Sequence, residues 1–267
     1  MSRRPKLPQT GEIINFYEHI PKKYIEKVEN PNESVHNIKL PFRMCIVAPS
    51  GSGKTNFLLN LIKVFSQGKG TFSDITIVTA NKDEPLYNYL SGEFDQIKVF
   101  EGMASTPKLD DMDKKSNHLV VWDDLVMSKN LETVSNYYIR ARKRNTSVVF
   151  LSQSYYDIPK IIRKNSSYLV LLNLGGSKRE QTAILNEWSS DLTKEELNYI
   201  YNDATAVELR PLIIAGGKVP QNKKYRKGWN DFYDTKTFFN DMPQPIKKNR
   251  RKVVMKPSYE SSSDSDY

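Results

Sequence analysis

With 267 residues, 38% of them hydrophobic, the chain is long enough to bury the core of one large α/β domain or two small ones. A mean hydropathy of −0.60, 27% charged residues and the lack of any apolar run near the ~20 residues that span a bilayer speak against a membrane protein. The net charge of +9 leans toward an anionic partner, His19, His36 and His118 are too isolated for a zinc site, and the single Cys45 cannot form an internal disulfide, which fits a reducing compartment.

The opening "MSRRPKLPQTGE" has basic residues without an apolar stretch behind them, so a secretory signal is not expected. Residues 1–40 read as an N-terminal arm holding at most a short helix in "EIINFYEHI". From Phe42 the pattern alternates. "RMCIVA" is an apolar strand, and "KTNFLLNLIKVF" a helix with Phe57, Leu58, Leu61, Ile62 and Phe65 along one face. "DITIVTA" (74–80) is a strand, "EPLYNYL" (84–90) a helix with Pro85 in its first turn, and "IKVFEG" (97–102) a short strand. A polar loop, 105–117, leads to the strand "HLVVWDD" (118–124), which ends in carboxylates.

Helix 130–143, strand 146–154, helix 158–166, strand 168–174 and helices 178–188 and 193–202 follow. "VELRPLIIA" (207–215) adds an edge strand or hairpin, since Pro211 argues against a central position, and beyond about Val219 the pattern dissolves. Fully apolar strands separated by helices imply a mostly parallel sheet flanked by helices. The expected domains are the arm 1–40, an α/β domain 41–218, and a C-terminal extension 219–267. That extension carries a basic cluster, "KKNRRK", and an acidic, Ser-rich end, and its composition predicts disorder after 244.

"APSGSGKT" fits the P-loop pattern with Ala48 in place of its first glycine, and Pro49, Ser50, Gly51, Ser52 and Gly53 complete the turn. Glycines let successive backbone N–H groups converge on a phosphate at a helix N-terminus. Lys54 then reaches the β- and γ-phosphates of ATP, and the Thr55 hydroxyl ligates Mg²⁺. A strand-to-helix turn that binds nothing is the bland alternative. Asp123 at the end of "LVVWDD" would hold Mg²⁺ through water, with Asp124 placed to polarise the attacking water. "NKDE" (81–84) falls short of the guanine-reading motif and reads as a loop of solvated charges, so ATP is favoured over GTP. The strand after the Asp-Asp strand ends in "SQS". If it lies between the P-loop and Asp strands, Gln153 faces the γ-phosphate side and is a candidate sensor that hydrogen-bonds the γ-phosphate or the attacking water.

"APSGSGKT", "VVWDDL" and "RARKRNTSVVFLSQSYYDIPKIIRKNSSYLVLL" together resemble the DNA-packaging ATPases of large double-stranded DNA viruses and virophages, the poxvirus-type branch of the FtsK/HerA superfamily. The resemblance spans about residues 40 to 185 and is most specific over 142–165, through Arg142, Gln153, Ile158, Pro159, Ile162, Arg163 and Asn165. It implies an additional-strand, RecA-like ATPase fold and a homo-oligomeric ring. The ring would push double-stranded DNA into a preformed capsid and meet a portal or vertex protein there. It also implies an arginine finger supplied in trans, with Arg142 the candidate and Arg163 the alternative. Where such proteins often carry Gly-Arg-His, this chain has Ala141-Arg142-Lys143, so Arg140 and Arg144 keep some claim to the role. The resemblance places the protein in host cytoplasm or a viral factory, or in the nucleus, with a passing association with the virion. A DNA pump or helicase of the HerA type, a P-loop kinase of a small substrate and a non-catalytic nucleic-acid binder are the competing readings.

Overall fold

The computed structural model describes residues 15–18, 20–21, 28–128, 131–217 and 219–242. Its strands, in chain order, are β1 (Arg43–Val47), β2 (Asp74–Thr79), β3 (Ile97–Glu101), β4 (His118–Asp123), β5 (Thr146–Ser152), β6 (Tyr168–Leu171), β7 (Leu212–Ala215), β8 (Tyr225–Lys227) and β9 (Asp231–Phe232). The helices are α1 (Glu33–His36), α2 (Lys54–Phe65), α3 (Pro85–Glu93), α4 (Leu131–Arg140), α5 (Lys160–Asn165), α6 (Lys178–Trp188) and α7 (Lys194–Ala204).

All strands join one sheet in the order β3-β2-β4-β5-β1-β6-β7-β8-β9. From β3 to β6 the pairs are parallel, and from β6 to β9 antiparallel. β5 lies between β1 and β4, with Arg43 opposite Val148 and Val121 opposite Val149. Alternate residues of each strand feed opposite faces. Cys45 and Val47 point into a core shared with Val134, Ile162, Ile184 and Leu197 of α4 to α7. Met44 and Ile46 pack with Phe57, Leu58, Leu61, Ile62 and Phe65 of α2. Cys45 is a buried core residue, and burial pushes its thiol up to about 11, so it stays protonated.

Three expectations are corrected. β7 is not an edge but is paired on both sides, and of the two readings the hairpin holds, with β8 as its second strand; Pro211 stops one residue short of the ladder, where its missing N–H costs no strand hydrogen bond. The chain past Val219 does not lose its pattern at once, because β8 and β9 continue the sheet as far as Phe232. Within the polar loop, Leu109 and Met112 are buried in the α4 to α7 core.

The end of the N-terminal arm is also packed. Ile38 is buried, and the His36 ring lies 3.9 Å from that of Phe65. Arg226 of β8 pins this segment: its buried guanidinium donates from Nη1 to the carbonyls of His36 (2.9 Å), Trp229 (3.1 Å) and Asn37 (3.3 Å). Burial first, then the Arg226 charge, hold the His36 imidazole down to about 4. In "EIINFYEHI" the described part is a single 3₁₀ turn, Phe16–Glu18. The basic cluster 247–252, the acidic end and the expected disorder after 244 lie outside the described residues.

Candidate functional site

β1 ends at Val47, and the chain turns through Ala48 to Gly53 into α2, whose first residues are Lys54 and Thr55. Gly51 (φ 74°) and Gly53 (φ 89°) sit in the left-handed region, which a Cβ would strain. At Gly53 a Cβ would also stand 2.2 Å from Cδ2 of Leu209, so this loop covers the glycine closely. Lys54 is buried, and its ammonium donates to the carbonyl oxygens of Ala48 (2.8 Å) and Pro49 (3.1 Å). Burial lowers its pKa, against the nearby charges of Asp123, Asp124 and Glu84.

β4 ends at Asp123, level with Leu151 of β5 and Thr79 of β2. Asp123 is buried and accepts a 2.5 Å hydrogen bond at Oδ2 from the Tyr87 hydroxyl. Burial pushes its carboxyl up to about 6, with Glu84 and Asp124 adding to the rise and the Tyr87 bond and Lys54 opposing it. Burial likewise raises the Tyr87 hydroxyl far above the ordinary tyrosine value, which keeps it a donor.

Asp124 turns out of the strand with φ 55°, a conformation that exposes its carboxylate. Gln153, the first residue past β5, donates from Nε2 to both of its oxygens, at 2.9 Å to Oδ1 and 2.8 Å to Oδ2. A carboxylate only accepts, so the amide nitrogen must face it. The loop after Gln153 is held by Glu180 of α6, which accepts from Ser154 Oγ (2.6 Å) and Tyr155 N (2.7 Å).

These parts line one cleft of about 330 Å³, bounded by Ser50, Lys54, Thr55, Asp123, Asp124 and Gln153. Two further side chains belong to it. Glu84, from the loop read as solvated charges, lines the cleft, while Asn81, Lys82 and Asp83 are exposed. Tyr87 clamps Asp123. The signal for both was the helical spacing of Glu84 and Tyr87 just after strand 74–79, which puts them on one side of the first turn of α3. For Mg²⁺ the fit is a hydroxyl (Thr55) and one carboxylate (Asp123) at a phosphate loop. Among the described residues no cluster of three or more His, Cys, Asp or Glu is placed to hold a metal. That donor set suits an ion that takes its remaining ligands from phosphates and water.

The arginines lie elsewhere. Arg142 sits in the 3₁₀ turn Ala141–Arg144 that leads into the start of β5, whereas Gln153 follows its end. Seven strand residues separate them, roughly 20 Å at about 3.3 Å per residue, so Arg142 does not reach its own chain's phosphate loop. Its side chain is exposed, while Arg140 (3.3 Å) and Arg144 (3.1 Å) both engage Asp110. Arg163 is committed: Nη1 pairs with Glu187 at 2.6 Å, and the guanidinium carbon stacks 4.7 Å from the Tyr155 ring centre. An Arg163 finger would have to leave that pair first, whereas Arg142 is exposed.

A phosphate loop on β1, an acidic end to β4 and an inserted β5 with a polar tip define a P-loop NTPase of the additional-strand type. The profile described as "Poxvirus A32 protein" matches residues 32–215, and the chain belongs to that family. It is 28% identical over 155 residues to the DNA packaging protein OPG160 of variola virus, and equally to that of vaccinia virus (strain Copenhagen); these alignments cover 54% of this chain and 57% of theirs. The chain therefore spans little more than half the length of these relatives. In fold it is similar to the DNA-packaging ATPase of Sulfolobus turreted icosahedral virus (TM-score 0.51, 14% identity, 72% of this chain and 98% of that one). The genome packaging NTPase of Sulfolobus turreted icosahedral virus 2, solved with AMPPCP, is as close (TM-score 0.51, 15% identity, 70% and 97%). No helix among the described residues is long and apolar enough to cross a membrane.

Proposed function

We propose that this chain is an ATPase that drives double-stranded DNA into a preformed viral capsid, acting as a homo-oligomeric ring in the viral factory of the host cytoplasm and meeting a capsid portal or vertex protein. The observation that carries the reading is the Asp124–Gln153 pair set across one cleft from the Lys54 loop, in a chain of the A32 family. Backbone N–H groups of residues 50–55 cradle the phosphates of ATP, and Lys54 exchanges its two carbonyl bonds for phosphate oxygens. Thr55, and Asp123 through water, would hold Mg²⁺, which would supply positive charge beside the phosphates. Tyr87 fixes the Asp123 carboxylate. Asp124 accepts a proton from the attacking water, and Gln153 orients both.

Arg142 is the proposed finger, working on the neighbouring subunit's nucleotide because its own is out of reach. A cation there is worth roughly 10³-fold or more in rate. Lys54→Ala loses its phosphate grip but keeps the finger, and Arg142→Ala binds ATP without turning it over. Mixing the two inactive proteins, with subunit exchange verified, restores part of the ATPase. If Arg142→Ala alone hydrolyses at the wild-type rate, the trans assignment fails.

A further inference from the structure

A larger cavity, about 610 Å³, opens beside α5, where β6 begins and β7 ends, at the end of the sheet away from the phosphate loop. Lys160, Arg163, Lys164 and Lys224 line it, against one carboxylate, Glu187, already paired with Arg163. Among the described residues Lys160, Lys164 and Lys224 pair with no carboxylate, and the buried Nε of Arg163 has no hydrogen-bond partner. Like charges around one concavity repel, and here no carboxylate among the described residues pairs with the three lysines. Trp188 and Gly216 wall the cavity, and a Cβ at Gly216 would crowd the Trp188 ring and the Ser166 carbonyl, each at 3.3 Å.

We propose that this cavity is a seat for backbone phosphates of duplex DNA, separate from the nucleotide cleft. The assignment rests on the translocase reading for its choice of anion and on charge complementarity for its place. Lysines on exposed stems contact phosphates without reading bases, which is what a motor that runs over any sequence requires. Each phosphate contact releases condensed counterions, so the contacts leave a signature in the salt dependence.

The test is anisotropy of a labelled random-sequence duplex against salt, for the full chain. The triple variant Lys160→Gln/Lys164→Gln/Lys224→Gln is compared with Lys69→Gln/Lys98→Gln/Lys115→Gln, an equal charge loss at exposed lysines elsewhere. The cavity variant should bind at least about 30-fold more weakly at moderate salt, and its log–log salt slope should fall by about 2 to 3, against less than about 3-fold for the control. DNA-free ATP hydrolysis and thermal melting stay at wild-type values in both. Wild-type binding by the cavity variant, beside a salt-sensitive wild type, overturns the site and leaves the ATPase reading standing. Loss of inorganic pyrophosphate binding with duplex binding intact assigns the cavity to a free anion and also overturns it. A wild-type chain that binds no duplex overturns the translocase reading itself.

Discussion

Gln153→Ala separates catalysis from stability at one residue. The amide's two contacts, 2.9 and 2.8 Å, both go to an exposed carboxylate. Solvent screens such a contact, so its loss changes stability by no more than about 1 kcal/mol, a shift in Tm of at most about 4 °C. In the proposed mechanism the same contact aims Asp124 at the attacking water, and removing one preorganised donor of this kind costs roughly 10²- to 10³-fold in kcat. Turnover should fall by that factor in a phosphate-release assay, with nucleotide affinity unchanged, because Lys54 and the loop N–H groups are untouched. Asp124→Asn keeps binding and loses hydrolysis. Because the two residues act as one unit, the double variant should be little worse than Asp124→Asn alone. Gln153→Glu places a second carboxylate against the first and should be at least as inactive as the alanine variant. A Gln153→Ala enzyme turning over within about 3-fold of wild type would refute the assignment.

Arg226→Met should leave the His36, Asn37 and Trp229 carbonyls short of a donor and lower stability by about 2 to 4 kcal/mol, read as a Tm drop of roughly 5 to 15 °C, with turnover per folded molecule unchanged; a melt at the wild-type temperature would refute the pinning. His118 Nδ1 bonds Asp74 Oδ2 at 2.5 Å, and Nε2 meets the Asp113 carbonyl at 2.7 Å. The Asp74 bond, opposed by burial, raises the His118 pKa, so its contribution is fully present below the unfolded value and lost as pH rises through the folded one; at Asp74 burial raises the pKa, but the bond and charge of His118, with Ser73 and Lys98, outweigh it and hold the carboxyl below its ordinary value, so its contribution is lost as pH falls. Wild-type Tm should therefore decline as pH rises above about 6.5 more steeply than that of His118→Gln, and parallel curves would sink the linkage.

The parallel core was legible because its strands are continuous apolar runs and its helices have a 3.6-residue apolar stripe. The P-loop and the acidic strand end were legible because the chemistry demands those residue types in sequence. What escaped were contacts between distant segments. Arg226 reads as one more surface cation until the carbonyls of residues 36 and 37 gather around it. Arg163 looks as free as Arg142 until Glu187, 24 residues further on, is brought beside it. Glu84 sits in a stretch of charges, and only the turn of α3 aims it into the cleft. β8 and β9 are three and two residues long, too short for any periodicity to announce.

The sheet gives the two ends of the molecule different work. Its phosphate-loop end gathers Lys54, Asp123, Asp124 and Gln153, and its other end carries Arg142 and the basic cavity. One side chain joins them. Tyr155 lies two residues past Gln153, and its N–H is held by Glu180. Its buried hydroxyl donates to Glu187 at 2.8 Å, the carboxylate that pairs with Arg163 at the cavity wall. A phosphate arriving at Arg163 competes with Glu187 for the guanidinium, and Glu187 in turn holds Tyr155. Arg163, Glu187 and Tyr155 thus form one run of direct contacts from the cavity wall to the loop after Gln153.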